Sequence, residues 1–228
     1  MAPEIILYTM PMSQNAVRPE IALREKGLSF ERVLVDLLAA EHHQPPLSEL
    51  TPRRQIPTLV HRDGGEEIVI YESVAIIRLL DAWYPDPPLM PPLTNRTDYA
   101  EAVMRIEEFQ AKLDVKNIFG SVVFGKQSRA VLSERIDQLR AELLHWDRYV
   151  EGRSYLAGEQ FTLADIAVFP LLMHFEVLGY DFAAETPSLA LYMDRCKARP
   201  SIEGTGWVKT FQEFVAVMNP EQVLAACA

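Results

Sequence analysis

Apolar and polar positions change period repeatedly over the first third of the chain. The run Ile5-Ile6-Leu7-Tyr8 is apolar throughout and reads as a short strand covered on both faces. A loop with Pro11 follows. Residues 16–26 then carry amphipathic helical spacing, stopped by Gly27 at the first position beyond the cap. Phe30, Val33 and Val35 begin a second strand. Strand, helix and strand in this order predict parallel pairing through a right-handed crossover. Residues 39–50 predict a short helix, and Pro57-Thr58-Leu59-Val60 a strand. Asp63-Gly64-Gly65 supplies a turn and Ile68-Val69-Ile70 a returning strand, a β-hairpin. Residues 72–83 close the pattern as a helix with Ile76, Ile77, Leu79 and Leu80 on its apolar face. The expected first unit, residues 1–84, is a βαβ-α-ββα lobe.

Residues 85–94 contain five prolines. Such a stretch neither continues a helix nor joins a ladder, so residues 85–96 read as a stiff linker. Everything after it, residues 97–228, reads as helical. Ile136, Leu139, Leu143, Trp146 and Val150 recur at three- and four-residue intervals, a one-sided core stripe. Thr162-Leu163-Ala164-Asp165 places a Thr-x-x-Asp start ahead of an apolar run, a helix cap serving the fold. The expected fold class is α/β followed by all-α.

Composition narrows the function. A chain of 228 residues, 49% hydrophobic and 24% charged, can bury a sizeable core without disulfide staples. Its formal charge of -10 argues against nucleic acid as a partner, since phosphates require a basic face. Cys196 and Cys227 form neither a Cys-x-x-Cys pair nor a metal-spaced cluster, and read as reduced thiols. No metal site is expected: His42 and His43 are adjacent, point apart on a helix, and have no third ligand nearby. No apolar stretch approaches the roughly 18 residues of a membrane span, and Met1-Ala2-Pro3-Glu4 is no signal-peptide start. No membrane association and a cytoplasmic location are expected.

Four segments, in order, resemble the cytosolic glutathione S-transferases over roughly residues 4–205. They are Leu7-Tyr8 with Ser13 and Arg18; Glu41-His42 through Leu50-Thr51-Pro52-Arg53-Arg54-Gln55-Ile56-Pro57-Thr58-Leu59; Tyr71-Glu72-Ser73-Val74-Ala75-Ile76; and Tyr155-Leu156-Ala157-Gly158 through Phe161-Thr162-Leu163-Ala164-Asp165-Ile166, with Ala198-Arg199-Pro200-Ser201-Ile202 afterwards. The resemblance implies a thioredoxin-like glutathione-binding domain followed by a helical bundle, with glutathione as co-substrate and a homodimeric assembly.

It also implies roles. Glutathione chemistry at neutral pH requires a thiolate from a thiol of ordinary pKa near 8.5. A hydroxyl donor and a helix N-terminus together can stabilise that anion. Ser13, where the loop enters the first helix, has both. It matches the activating serine of the theta-, phi- and rho-like members, while Tyr8 is the alternative and an N-cap the purely structural reading. Pro57 matches the family's cis-proline, with Ile56 offering backbone groups to the cysteinyl part. Glu72 and Ser73 match the γ-glutamyl end, His42 and Gln55 the glycyl carboxylate. Met10, Phe109, Leu113, Phe119 and Trp207 are candidates for the pocket of a hydrophobic electrophile. Conjugation is the leading expectation; glutathione-dependent isomerisation or dehalogenation, or a non-catalytic scaffold, are the alternatives. Thr51 stands where asparagine is usual, Arg54 where glycine is usual, and Pro19 lies early in the first helix, where it could displace Ser13.

Overall fold

The strands of the first unit line up in the order β2-β1-β3-β4, comprising β1 (Glu4–Thr9), β2 (Glu31–Leu34), β3 (Thr58–Asp63) and β4 (Glu66–Tyr71). The computed structural model describes residues 3–37, 39–113, 129–177 and 180–218. They divide between two compact units, one of Met1–Leu89 with Pro200–Trp207 and one of Met90–Arg199 with Val208–Ala228.

In the first unit, β1 and β2 pair in parallel across helix α1 (Gln14–Glu25), while β1–β3 and β3–β4 are antiparallel. Alternation along β1 sends Ile6 and Tyr8 to one face, where they pack with Val35, Leu47 and Val60. Ile5 and Leu7 go to the other face. Two-sided burial explains why β1 reads as an unbroken apolar run. Gly27, at φ 63°, ends α1, with its N–H bonded to the Arg24 carbonyl at 3.1 Å. Pro19 sits within α1 without interrupting it. Helix α3 (Ser73–Trp83) buries Val74, Ile76, Ile77 and Leu80. Leu79, expected on that face, is half-buried.

The segment 39–50 departs from expectation. Instead of one helix it forms a 3₁₀ turn (Glu41–His43) and, past Pro45 and Pro46, a single turn α2 (Leu47–Leu50). Two consecutive prolines offer no N–H to a continuing helix, so the apolar spacing is overridden. The proline-rich stretch belongs in part to the first unit. Buried Lys26 pairs with Asp81 and donates to the Pro87 carbonyl at 2.5 Å, and Asp81 also accepts from the Leu89 N–H at 2.8 Å. The short helix α9 (Pro200–Glu203) returns to this unit, where Ser201 donates to Glu25.

Among the described residues every element of the second unit is a helix: α4 (Arg96–Lys112), α5 (Arg129–Tyr149), α6 (Leu163–Val177), α7 (Phe182–Glu185) and α8 (Pro187–Lys197), with α10 (Trp207–Met218) entering it after Trp207. Leu139, Leu143, Trp146 and Val150 are buried as their spacing predicts; the Ile136 side chain lies outside the described residues. Helix α6 is buried along nearly its whole length and forms the centre of the unit. It begins with a reciprocal cap. Thr162 Oγ1 accepts from the Ala164 N–H at 3.2 Å, and Asp165 accepts from the Thr162 N–H at 2.7 Å.

Candidate active site

The ladder fixes which loops meet. Tyr8 on β1 lies opposite Thr58 on β3, and Thr58 opposite Tyr71 on β4. The segment leaving β1, the segment entering β3 and the segment leaving β4 therefore gather at one end of the sheet. They carry Met10 to Ser13, Ile56 and Pro57, and Glu72 and Ser73.

Ser13 is the N-cap of α1, with extended backbone (φ -84°, ψ 116°) and its Oγ accepting from the Ala16 N–H at 3.2 Å. One lone pair is used and the O–H proton is not. The hydroxyl can therefore cap the helix and still donate outward. Its own N–H bonds to the Met10 carbonyl at 3.1 Å, which ties the loop to the cap. Tyr8 differs. It is 8% exposed within the core cluster on one face of the sheet. Burial, with Glu31 nearby, raises its phenol above the ordinary value.

The Ile56–Pro57 peptide is cis. Among the described residues no hydrogen bond engages the Ile56 N–H or C=O, so both are open to an extended peptide. Thr58 Oγ1 donates to the Gln55 carbonyl at 2.8 Å, closing the entry to β3. Upstream, Thr51 Oγ1 accepts from the Arg53 N–H at 3.2 Å, a turn that the hydroxyl forms in place of an asparagine amide. Arg54 adopts φ 50°, the left-handed conformation in which the expected glycine would sit without penalty.

Helix α3 begins differently from α1. Its N-cap is Glu72, at φ 71° and ψ 111°, and no side chain caps the helix. The first-turn N–H groups therefore remain available, and with the helix dipole they favour an anion. Holding a glutamate at positive φ costs on the order of 1–3 kcal/mol, a strain seen where backbone geometry serves a site. Ser73, the first helical residue, is 8% exposed.

Arg18, which sequence reasoning gave no role, joins these helix starts. Its Nη1 donates to Asn15 Oδ1 at 2.5 Å and to Ser73 Oγ at 3.2 Å. It is 3% exposed, and burial lowers its guanidinium to about 9. Residues 16–23 are wholly buried and include two charged side chains, Arg18 and Glu20, and the sequence marks Arg18 only as part of the first segment that carries the resemblance.

The family model for the glutathione S-transferase N-terminal domain matches residues 7–88, and the model for the C-terminal domain of the same enzymes matches residues 94–200. The chain belongs to the glutathione S-transferase family. "Glutathione S-transferase 3" of Zea mays is 33% identical over 90% of this chain and 94% of its own length. A "Stringent starvation protein A homolog" of Pasteurella multocida is 32% identical over 79% of this chain and 80% of its own. Among solved structures, a delta-class glutathione transferase of Nilaparvata lugens superposes with a TM-score of 0.79 at 26% identity, covering 94% of this chain and all of that one. The four-stranded mixed sheet with its helices and the helical second unit are the thioredoxin-like glutathione S-transferase fold.

The remaining expected site residues fall as follows. His42 is half-buried in the 3₁₀ turn, with its Nδ1 buried and unpartnered and its ring 4.0 Å from that of His43. Among the described residues no hydrogen bond joins it to Ser13, Ile56 or Ser73. Gln55 and Glu72 are exposed and Pro57 is buried. Met10 is half-buried beside Ser13, while Phe109 and Leu113 are packed in the second unit. Trp207 is 2% exposed, and Phe119 lies outside the described residues. Among the described residues no three His, Cys, Asp or Glu are grouped to hold a metal ion, and no helix is long and apolar enough to cross a membrane.

Proposed function

We propose that this family member is a serine-activated glutathione transferase that attaches the glutathione sulfur to electrophilic, largely apolar small molecules. The observation that carries this reading is the state of Ser13. Its oxygen accepts from the Ala16 N–H, so the O–H proton is left to donate at the positive end of α1. A thiolate placed there gains a charge-assisted hydrogen bond and the helix dipole together. The core packing of Tyr8 supports Ser13 over the alternative. The cysteinyl backbone would bond to Ile56, the γ-glutamyl carboxylate to the uncapped start of α3, and its amino group to Glu72. The glycyl carboxylate would go to His42 and Gln55. Two copies would pair, and the enzyme would work in the cytoplasm. Isomerisation or dehalogenation would draw on the same thiolate and differ only in the second substrate.

The likeness to the stringent starvation protein homologue favours a second reading, a glutathione S-transferase fold used for binding without catalysis. A steady-state assay with glutathione and a chlorinated dinitrobenzene separates the two. The transferase reading expects turnover in the wild type and loss of ten- to a thousandfold in both Ser13→Ala and Ser13→Gly. Glycine removes the hydroxyl, adds no charge and weakens an N-cap by only a few tenths of a kcal/mol, so equal loss in both variants assigns the effect to the hydroxyl rather than to helix stability. No turnover in the wild type with this or other electrophiles, despite glutathione binding, would favour the binding reading.

A further inference from the structure

We propose that Arg18 is a positioning residue for glutathione, holding the Ser73 hydroxyl in place to receive the α-carboxylate of the γ-glutamyl end. This rests on the glutathione reading above and assigns it a residue that touches no substrate atom. Ser73 Oγ accepts from Arg18 Nη1 at 3.2 Å, which turns the hydroxyl's own proton away from the guanidinium. That proton then points its donor capacity at whatever occupies the α3 N-terminus, where no side chain supplies a cap. The donors of Arg18, Ser73 and the first turn of α3 would form a polarised chain ending on the carboxylate. Burial holds the guanidinium away from water, so an anion one hydroxyl away gains more from it than from an exposed charge. The second acceptor of the same nitrogen, Asn15 Oδ1 at 2.5 Å, anchors Arg18 to the first turn of α1, two residues beyond Ser13. Carboxylate recognition and the sulfur site thus share one buried cross-link.

The test compares two ligands by calorimetry: S-methylglutathione, and the S-methylated γ-aminobutyryl-cysteinyl-glycine that lacks only the α-carboxylate. Wild type is expected to prefer the first. In Arg18→Gln that preference should fall roughly tenfold or more, the scale of a hydrogen bond to a charged group, while the truncated ligand binds within about twofold of wild type. Arg18→Lys keeps a cation without the planar fork, and should lose roughly threefold, again only for the carboxylate-bearing ligand. If the glutamine variant does not fold, the lysine variant is read by the same criterion. Equal weakening of both ligands would overturn the proposal by making Arg18 a purely structural group, as would an unchanged preference. A wild type that binds neither ligand at millimolar concentration would instead overturn the glutathione reading itself.

Discussion

The cap of α6 gives a prediction whose size follows from the geometry. Asp165 is fully buried and accepts three hydrogen bonds, from the Leu156 N–H at 3.0 Å, the Thr162 N–H at 2.7 Å and the Thr162 hydroxyl at 3.0 Å. Burial pushes its carboxyl up to about 6, against the lowering effect of these donors. A carboxyl whose pKa is raised on folding contributes stability that is complete below its unfolded value and is lost as pH rises through its folded value. With a folded pKa of about 6 and an unfolded value near 3.9, lowering the pH from about 7.5 to about 5 should stabilise the fold by on the order of 1 kcal/mol through this group. Asp165→Asn cannot titrate, and turns an amide donor toward groups that are themselves donors, so it should cost about 2–4 kcal/mol at neutral pH. Urea unfolding followed by far-ultraviolet circular dichroism, at both pH values for both proteins, isolates the contribution of this carboxyl as a difference. The stability gap between wild type and variant should widen by on the order of 1 kcal/mol at the lower pH. A gap that stays constant or narrows would refute the reasoning, since it would mean that the three donors keep the carboxylate ionised throughout.

Arg54→Gly should stabilise the protein by about 0.5 kcal/mol, because relief of the left-handed conformation at φ 50° exceeds the extra freedom of glycine in the unfolded chain. Differential scanning calorimetry would show a raised Tm, and a lowered one would contradict the assigned strain. Gly158→Ala should cost about 2 kcal/mol, chiefly from its φ of 101°, since Asp98 Oδ2, 2.7 Å from the new Cβ, lies on a side chain able to swing aside. Pairing the change with Asp98→Ala checks this: recovery of most of the loss would place the cost in the contact rather than in the backbone.

Much of the first unit was legible because its signals are local. An unbroken apolar run marks β1, Gly27 ends α1, and Asp63-Gly64-Gly65 turns β3 into β4. The Thr162–Asp165 cap was equally readable, since a capping box is a property of four consecutive residues. The segment 39–50 was misread because its apolar spacing outweighed Pro45 and Pro46, which decide the backbone. The expected linker at 85–96 did not anticipate that Lys26 donates to the Pro87 carbonyl and pairs with Asp81, which itself accepts from the Leu89 N–H. Nor did it anticipate that residues 200–207 return to that unit. Both depend on a partner more than fifty positions away, Lys26 for Pro87 and Glu25 for Ser201. The candidate site divides in the same way. Ser13, Ile56, Pro57, Glu72 and Ser73 follow from motifs, and the ladder through Tyr8, Thr58 and Tyr71 brings them to one end of the sheet. Arg18 has no motif that reveals its partner. Only folding sets a buried guanidinium on α1 against a hydroxyl on α3.

The central claim is that Ser13 lowers the pKa of bound glutathione, and the ultraviolet absorbance of its thiolate across pH tests that most directly. For a thiol of free pKa near 8.5, a drop of about two units corresponds to about 2.7 kcal/mol of preferential anion stabilisation. The account predicts that glutathione bound to the wild type titrates below neutrality, and that in Ser13→Ala its midpoint moves back by a unit or more toward the free value. Identical midpoints in the two proteins would contradict it, whether both were low or both ordinary.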